Sequence, residues 1–527
     1  MLVGLTENLI MRNTVGDLLR RTADRHPDKV GMVFRDIRKT YAQFNEDVNR
    51  FANAVSALGI GKGDKLALLS HNCYQYAVIY FALAKLGAVL VPINFMLRPS
   101  EVGYIVDHSE SKAFFVEDAM AGAAAEVLTH APKVRQVGVI RLAEAAAPTG
   151  WLDYDALVAQ GSPAEPLVEI DDGEVAQIAY TSGTESLPKG AMLTHRGLIA
   201  QYMSIIADGE FNPGEVIVHA LPLYHCAQLH VFFTPGVAVG ATNIIIYAPT
   251  PDEILGTVER EGVTLLFCPP TVWIALLRSP AFGQRDLASL RKGYYGAAIM
   301  PVEVLKELAS RLPRCRLWNL YGQTEMGPLA TTLRPEDQLR KPGSAGKPAL
   351  QVETILVDDD NNPVAVGQVG EIVHRSPHVM LGYFKDEAKT LEAFRGGWFH
   401  SGDLGVMDEE GYITVVDRKK DMIKSGGENV ASREVEEAIY LDPRVSEVAV
   451  IGIPHPYWIE AVAAVVVPKA GATLTADEVT GHCRAHLSKF KVPKYVVIAP
   501  NLPRNPSGKI LKRELRQAYQ DLPKADA

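Results

Sequence analysis

The sequence is poor in cysteine, has no surplus of positive charge and contains no long apolar run, and each shortage closes off a class of protein. Its five cysteines, Cys73, Cys226, Cys268, Cys315 and Cys483, are scattered, odd in number and without the paired spacing of a zinc site or a disulfide framework. A reducing, cytoplasmic setting is the expectation. The formal charge of -9 leaves no general basic surface for nucleic acid, so nucleic acid is not expected as a partner. The most apolar stretch, Tyr76 to Leu86, contains Lys85 and is shorter than the roughly 17 to 25 residues of a membrane-spanning helix. A buried core helix is expected there, and no membrane span. The opening MLVGLTENLIMRN has no basic segment followed by an apolar run and a small-residue cleavage site, so no secretory signal is expected. Internal repeats and long low-complexity stretches are also lacking; only 121–125 and 143–147 are biased, toward alanine, which suggests local helix or surface loop.

What is present is a chain of 527 residues, 47% hydrophobic and 22% charged, with enough apolar material for at least two globular domains. Tyr41, Phe44, Val48, Phe51, Val55 and Leu58 recur at three- and four-residue spacing, which predicts one face of a helix ending near Gly59. Short β-branched or apolar runs follow at 65–69, 88–91 and 112–116, separated by segments long enough for helical crossovers. The alternation returns at 216–221, 242–247, 263–267 and 315–321. These predict a large α/β N-terminal domain, 1–417, with mixed sheets and crossover helices. Beyond Asp417 short strands are predicted at 448–453, 461–467 and 495–498, with a helix in TADEVTGHCRAHLSKF, giving a small α+β C-terminal domain, 421–527. The charged run DRKKD followed by Ser425, Gly426 and Gly427 marks the join, and a hinge is expected at 418–420.

Three segments carry candidate chemistry. YTSGTESLPKG, 180–190, lies between two predicted strands; Thr181, Ser182, Gly183, Thr184 and Lys189 supply the donors, flexibility and charge that can wrap a polyphosphate. It is not the Walker arrangement, because Pro188 precedes the lysine and Gly190 follows it. NLYGQTE, 319–325, follows a predicted strand, and a carboxylate there can hold a Mg²⁺ bridging phosphate oxygens. In WFHSGDLG, Asp403 can accept from both hydroxyls of a ribose. Taken singly, each reads equally as a polar loop, a solvated strand end or an Asp turn.

Their order, together with DRKKDMIKSGGEN at 417–429 and PRNPSGKILKREL at 503–515, is more specific. The chain resembles the adenylate-forming superfamily of acyl-CoA synthetases, peptide-synthetase adenylation domains and beetle luciferases over nearly its whole length. Thr40-Tyr41, Gly87-Ala88 and VPIN at 91–94 add to the likeness. The resemblance implies that Thr181 to Lys189 bind the β- and γ-phosphates of ATP, with Thr184 and Glu325 near Mg²⁺. Gly296, Ala297 and Ala298 match the segment lining the adenine, and Asn319, Tyr321, Gly322, Gln323 and Thr324 fall in the nucleotide-holding motif. Asp403 matches the ribose aspartate and Arg418 the arginine reaching ribose or phosphate. Lys509 matches the lysine that enters from the C-terminal domain during adenylation, where a cation offsets repulsion between carboxylate and α-phosphate. Lys420 falls at the pivot about which that domain turns, exchanging Lys509 for the face of Lys424, Ser425, Gly426 and Gly427 that admits coenzyme A. His225 matches the gate between the thiol tunnel and the acyl pocket.

Several positions depart from the pattern. Glu185 and Ser186 stand where Thr-Gly is usual, Tyr295 where Gly precedes the adenine segment, Gln228 and Ile459 where Gly is common, and Ser507 replaces Thr. Tyr295 is accordingly expected at the wall of the acyl pocket beside His225. The function implied is ATP-dependent activation of a carboxylic acid as acyl-adenylate and transfer to coenzyme A, with a medium-chain or aromatic acid expected. The alternatives are transfer to an amine, or a non-catalytic nucleotide-binding scaffold; oligomeric state is left open.

Overall fold

The computed structural model describes residues 4–143, 148–181, 187–298, 300–426, 428–504 and 510–525. It separates into two compact units, the first of 1–182, 188–354 and 374–399, the second of 183–187, 355–373 and 400–527.

The first unit holds two large sheets. One runs in the order Lys347–Pro348, Leu329–Leu333, Arg316–Gly322, Lys292–Gly296, Leu265–Phe267, Val216–His219, Thr242–Ile245, Val30–Phe34 and Ile37–Thr40. The other runs Leu152–Asp153, Gln136–Ile140, Ala113–Glu117, Lys65–Leu69, Val89–Ile93, Val175–Thr181 and Lys189–Thr194. Their inner strands are parallel, and antiparallel pairs stand at both ends of the first sheet and at the Lys189–Thr194 end of the second, so both are mixed sheets with helical crossovers, as the alternation predicts.

The helix expected from Tyr41 spans Tyr41–Ala57, opened by a capping box between Thr40 and Gln43. The apolar stretch forms Tyr74–Leu86, every residue of it buried. Lys85 is tolerated there because its ammonium donates to Asn45 and Asn49 Oδ1, both at 2.7 Å, and to Glu165 Oε2 at 2.6 Å. Burial lowers its pKa to about 8. Among the described residues no helix is long and apolar enough to cross a membrane.

The second unit carries a four-stranded sheet ending in the antiparallel pair Phe399–Met407 and Ile413–Arg418, and a five-stranded sheet built on the long pair Val445–His455 and Ile459–Pro468. Tyr495–Ile498 adds in parallel, and the helix Ala476–His486 starts at a Thr475–Glu478 capping box. Residues 418–420 lie inside this unit.

Candidate active site

The phosphate-loop candidate caps a hairpin. Strands Val175–Thr181 and Lys189–Thr194 pair with Thr181 opposite Lys189, while Ser182, Gly183, Thr184, Glu185 and Ser186 lie outside the described residues. A segment far along the chain is zipped to this hairpin: Met192 N donates to Gly382 O at 3.0 Å, Leu381 N to Met192 O at 2.8 Å and Phe384 N to Gly190 O at 2.8 Å. The zipper places Tyr383 between the two motifs. Lys189 Nζ lies 5.2 Å from its ring centroid, and its hydroxyl donates to Glu325 Oε1 at 2.9 Å. Burial, then the Glu325 carboxylate, raises the Tyr383 pKa, so it stays a phenol that donates. Met380 N fixes the Glu325 main chain at 2.7 Å. Glu325 is thus anchored through one carboxylate oxygen, and the other has no partner among the described residues. No group of three or more metal-ligating side chains occurs among those residues. One carboxylate with a spare oxygen does fit Mg²⁺, which takes most of its ligands from phosphates and water.

The strand before Glu325 is pinned from both sides. Asn319 is buried, opposite Tyr295 in register, and donates to Ser344 O at 2.8 Å; Tyr321 is half-buried, and the exposed Gly322 ends the strand. Gln323 Nε2 is buried with no partner among the described residues, a donor in want of an acceptor. Thr324 Oγ1 contacts Cys226 Sγ at 3.2 Å, which joins this motif to the loop of His225. His225 is exposed in accessible area, yet surrounding protein desolvates its ring and lowers its pKa; both hold for a side chain lining a cleft. Its Nδ1 accepts from Ala227 N at 3.2 Å, which leaves the neutral ring with its proton on Nε2.

After His225 the chain makes wide π-helical turns, Ala227–Phe233, buried from Gln228 onward. Polar groups thread these turns. Gln228 Nε2 donates to His219 Nδ1 at 2.7 Å, and His219 Nε2 to Asn243 Oδ1 at 3.0 Å. His230 bonds Tyr202 Oη at 2.8 Å and Gln177 Oε1 at 3.0 Å. Burial depresses the pKa of His219 to about 4 and of His230 to about 3, keeping both neutral.

Gly296, Ala297 and Ala298 form a turn at the end of Lys292–Gly296. A Cβ on Gly296 would stand 2.4 Å from Leu320 O, so the close approach of neighbouring strands demands glycine. Ala297, at φ 65°, and Ala298 are exposed, leaving open backbone for a flat ligand. Tyr295 is a correction. Its ring is 2% exposed and belongs to the core beneath the helices that cover the other face of the sheet, with Trp273, Met300 and Leu305. Its hydroxyl donates to Gln338 Oε1 at 2.6 Å. Side chains alternate across a strand, and it is Tyr294 that faces the π-helical turns, edge-on to Phe232 and stacked on Trp318. Tyr295→Gly is therefore expected to cost about 3 to 5 kcal/mol of stability, by analogy with Phe→Ala in cores, without altering which acids are used. Thermal unfolding beside a kcat/KM series of acids checks this; a shifted acid preference in an undiminished fold would put the ring back at the pocket.

In the second unit Asp403 is buried and paired across the sheet with Arg418, whose Nε lies 2.7 Å from Asp403 Oδ1. Lys420 sits in a turn whose carbonyl accepts from Arg516 at 3.5 Å. Lys424 is exposed on the strand Ile423–Ser425 and its N–H donates to Glu460 Oε2 at 2.7 Å; Ser425 is buried opposite Ile459. Gly426, at φ 63°, lies so close that a Cβ would stand 2.7 Å from the Trp458 ring. Gly427 and Lys509 lie outside the described residues. Sequence reasoning missed Tyr383: it lies 58 positions from Glu325 in a stretch with no local motif, and only the long-range zipper reveals it.

Comparison with known proteins fits this arrangement. Residues 19–384 match the family described as AMP-binding enzyme, and 434–509 match the AMP-binding enzyme C-terminal domain. A feruloyl-CoA synthase of Amycolatopsis is 37% identical, covering 97% of this chain and 100% of its own. The long-chain-fatty-acid–CoA ligase FadD13 of Mycobacterium tuberculosis is 35% identical, covering 97% and 99%. Among solved structures, ATP-bound MatB from Rhodopseudomonas palustris superposes with a TM-score of 0.88 at 30% identity, over 97% of this chain and 100% of that one. The chain belongs to the AMP-binding, adenylate-forming enzyme family.

Proposed function

We propose that the protein activates a carboxylic acid with ATP as its acyl-adenylate and passes the acyl group to the thiol of coenzyme A, and that the acid is medium-chain or aromatic. The observation carrying the first step is the Lys189–Tyr383–Glu325 cluster, with the unpartnered Gln323 amide and His225 on the same connected motif. A carboxylate oxygen attacks the α-phosphorus and pyrophosphate leaves; Lys189 and Lys509 offset the charge on the transferring group. Bound Mg²⁺, held in part by Glu325 and Thr184, would supply further positive charge on the phosphates. Asn319, Gly296 to Ala298 and Tyr321 hold the base, and Asp403 with Arg418 the ribose. Thiol attack on the acyl carbon then releases AMP. Support for a thiol acceptor comes from the relatives that are CoA ligases and from the resemblance of the Lys424–Gly427 segment. The C-terminal domain serves the two steps with different residues, Lys509 for the first and Lys424 to Gly427 for the second, by a change of pose at Lys420.

Pyrophosphate release across a panel of acids, with and without coenzyme A and with simple amines, tests the whole reading. Thioester formation from medium-chain or aromatic acids is expected. Amide formation without thioester overturns the acceptor, and no pyrophosphate with any acid overturns the enzyme. The Gly426 geometry gives a sharper expectation. Gly426→Ala places a Cβ against Trp458 at a left-handed φ, a strain of about 1 to 2 kcal/mol. Thioester formation is expected to slow by roughly tenfold while adenylation continues, read by comparing single-turnover transfer with pyrophosphate release.

A further inference from the structure

Beside the loop of His225 lies a second set of titratable side chains that none of these steps uses. Glu117 ends the strand Ala113–Glu117 with its carboxylate fully buried, and four donors meet it: His71 N at 2.8 Å, His71 Nδ1 at 2.9 Å, Ser70 Oγ at 3.3 Å and Tyr247 Oη at 2.6 Å. A carboxylate oxygen accepts, so His71 Nδ1 is the donor and carries a proton, and in the tautomer with one ring proton the lone pair sits on Nε2. Nε2 has no partner among the described residues. The side chain is 27% exposed, and Phe95 and Tyr247 flank the ring with centroids 4.0 and 4.8 Å away. An imidazole whose tautomer is fixed by a buried carboxylate and whose other nitrogen is open is the arrangement of a general base.

Its placement ties it to acyl transfer. Asn72, the next residue, donates to Leu221 O at 2.8 Å and accepts from Leu223 N at 2.7 Å, clamping the loop that carries Tyr224 and His225. Phe95, tilted against His71, packs edge-on against Tyr224 with centroids 5.4 Å apart. A contiguous run of contacts thus leads from Glu325 and Thr324 through Cys226, His225, Tyr224 and Phe95 to His71. Other titratable groups around the ring do not compete for the proton: burial pushes the Cys73 thiol and the Tyr224 phenol up to about 12 and Tyr247 higher still. Arg35, 4.9 Å over Tyr247, and Asp118 act on that phenol from its far side.

We propose that His71 is the proton acceptor for the incoming acyl acceptor, a role that rests on that acceptor being a thiol. The S–H proton passes to His71 Nε2, directly or through one water, and the sulfur electron pair forms the C–S bond at the adenylate carbonyl. The carbonyl carbon–oxygen bond to the phosphate then breaks, AMP leaves with that electron pair, and the imidazolium, offset by Glu117, returns its proton to solvent.

The test is His71→Gln, assayed for single-turnover transfer from pre-formed acyl-adenylate to coenzyme A over about pH 6 to 9.5, with pyrophosphate release as reference. The ratio of transfer to adenylation is expected to fall roughly 100-fold near pH 7, within the usual range for a lost general base. It is expected to recover above the ordinary thiol pKa of about 8.5, where thiolate forms unaided. Transfer to hydroxylamine, whose nitrogen attacks without prior deprotonation, is expected to keep pace with the parent. Glu117→Gln is expected to give a smaller fall with the same recovery at high pH. A ratio within about threefold of the parent and an unaltered pH profile overturns the proposal, as does an equal loss with hydroxylamine, which marks a distorted site. If the parent itself releases pyrophosphate but forms no thioester, the thiol reading falls and this role with it; a competent parent beside an unaffected variant overturns His71 alone.

Discussion

Lys509→Ala is expected to abolish adenylate formation, by about 10²- to 10³-fold, the range for removing one donor aimed at developing charge, while transfer from pre-made acyl-adenylate to coenzyme A stays within a few-fold. The expectation follows from electrostatics. In the first step an anionic carboxylate must approach an anionic phosphate, and a cation at that point lowers the repulsion and stabilises the charge on the transferring phosphorus. In the second step the bond to phosphate is already made and the nucleophile attacks carbon, so the same cation has no comparable task. Lys189 is a separate cation, held over Tyr383 at the loop end of the hairpin, 5.2 Å from the ring centroid. Isotope exchange between pyrophosphate and ATP reports the first step alone, and single-turnover thioester formation reports the second. Equal loss of both in a folded variant would defeat the assignment of separate residues to the two steps, and unchanged exchange would remove Lys509 from the chemistry.

How far the sequence foretells this structure depends on whether the deciding contact is local. The helix from Tyr41 was legible because three- and four-residue spacing is a local signal, and the observed Tyr41–Ala57 differs from the expectation by a turn end. Strand positions were legible within one to three residues, the strand Lys65–Leu69 and the strand Tyr495–Ile498 without any offset. The pair Tyr294-Tyr295 was not: adjacent strand residues point to opposite faces, and nothing in YYGAA says which face meets the helices and which meets the π-helical turns. The polar run through Gln228, His219 and Asn243 was hidden for a related reason, since Asn243 comes from another strand and only tertiary packing satisfies the histidine. Motif order singled out Glu325 and Lys189, but not the tyrosine that stands between them.

That tyrosine sets up the other large effect. Glu325→Gln is expected to slow adenylation by roughly 100-fold at ordinary Mg²⁺ and to raise the Mg²⁺ needed for half-maximal rate by tenfold or more, about 1.4 kcal/mol or greater. Glutamine keeps the length of the side chain and an oxygen to accept from Tyr383, so the bond seen at 2.9 Å can persist. What it removes is the negative charge and the second carboxylate oxygen, the one with no partner among the described residues. A divalent cation bridging phosphates depends on that charge. Tyr383→Phe is the necessary companion. It leaves the charge and removes the orienting hydrogen bond, which to a charged group contributes about 1.5 to 3 kcal/mol. Its effect on Mg²⁺ dependence is expected to be smaller than that of Glu325→Gln, because a freed carboxylate can still reach the ion at an entropic cost. It should also loosen the Met380–Phe384 zipper little, since those bonds are made by main-chain groups. Titration of the adenylation rate with Mg²⁺ for both variants, beside their thermal stability, separates the roles. If Glu325→Gln shows the parent's Mg²⁺ dependence and loses rate only in proportion to lost stability, Glu325 is a structural partner of Tyr383 and the metal assignment fails. If Tyr383→Phe proves the more damaging of the two, the cluster works chiefly by holding Lys189 over the ring face, which both substitutions leave in place but only Tyr383→Phe frees from its hydrogen bond to Glu325.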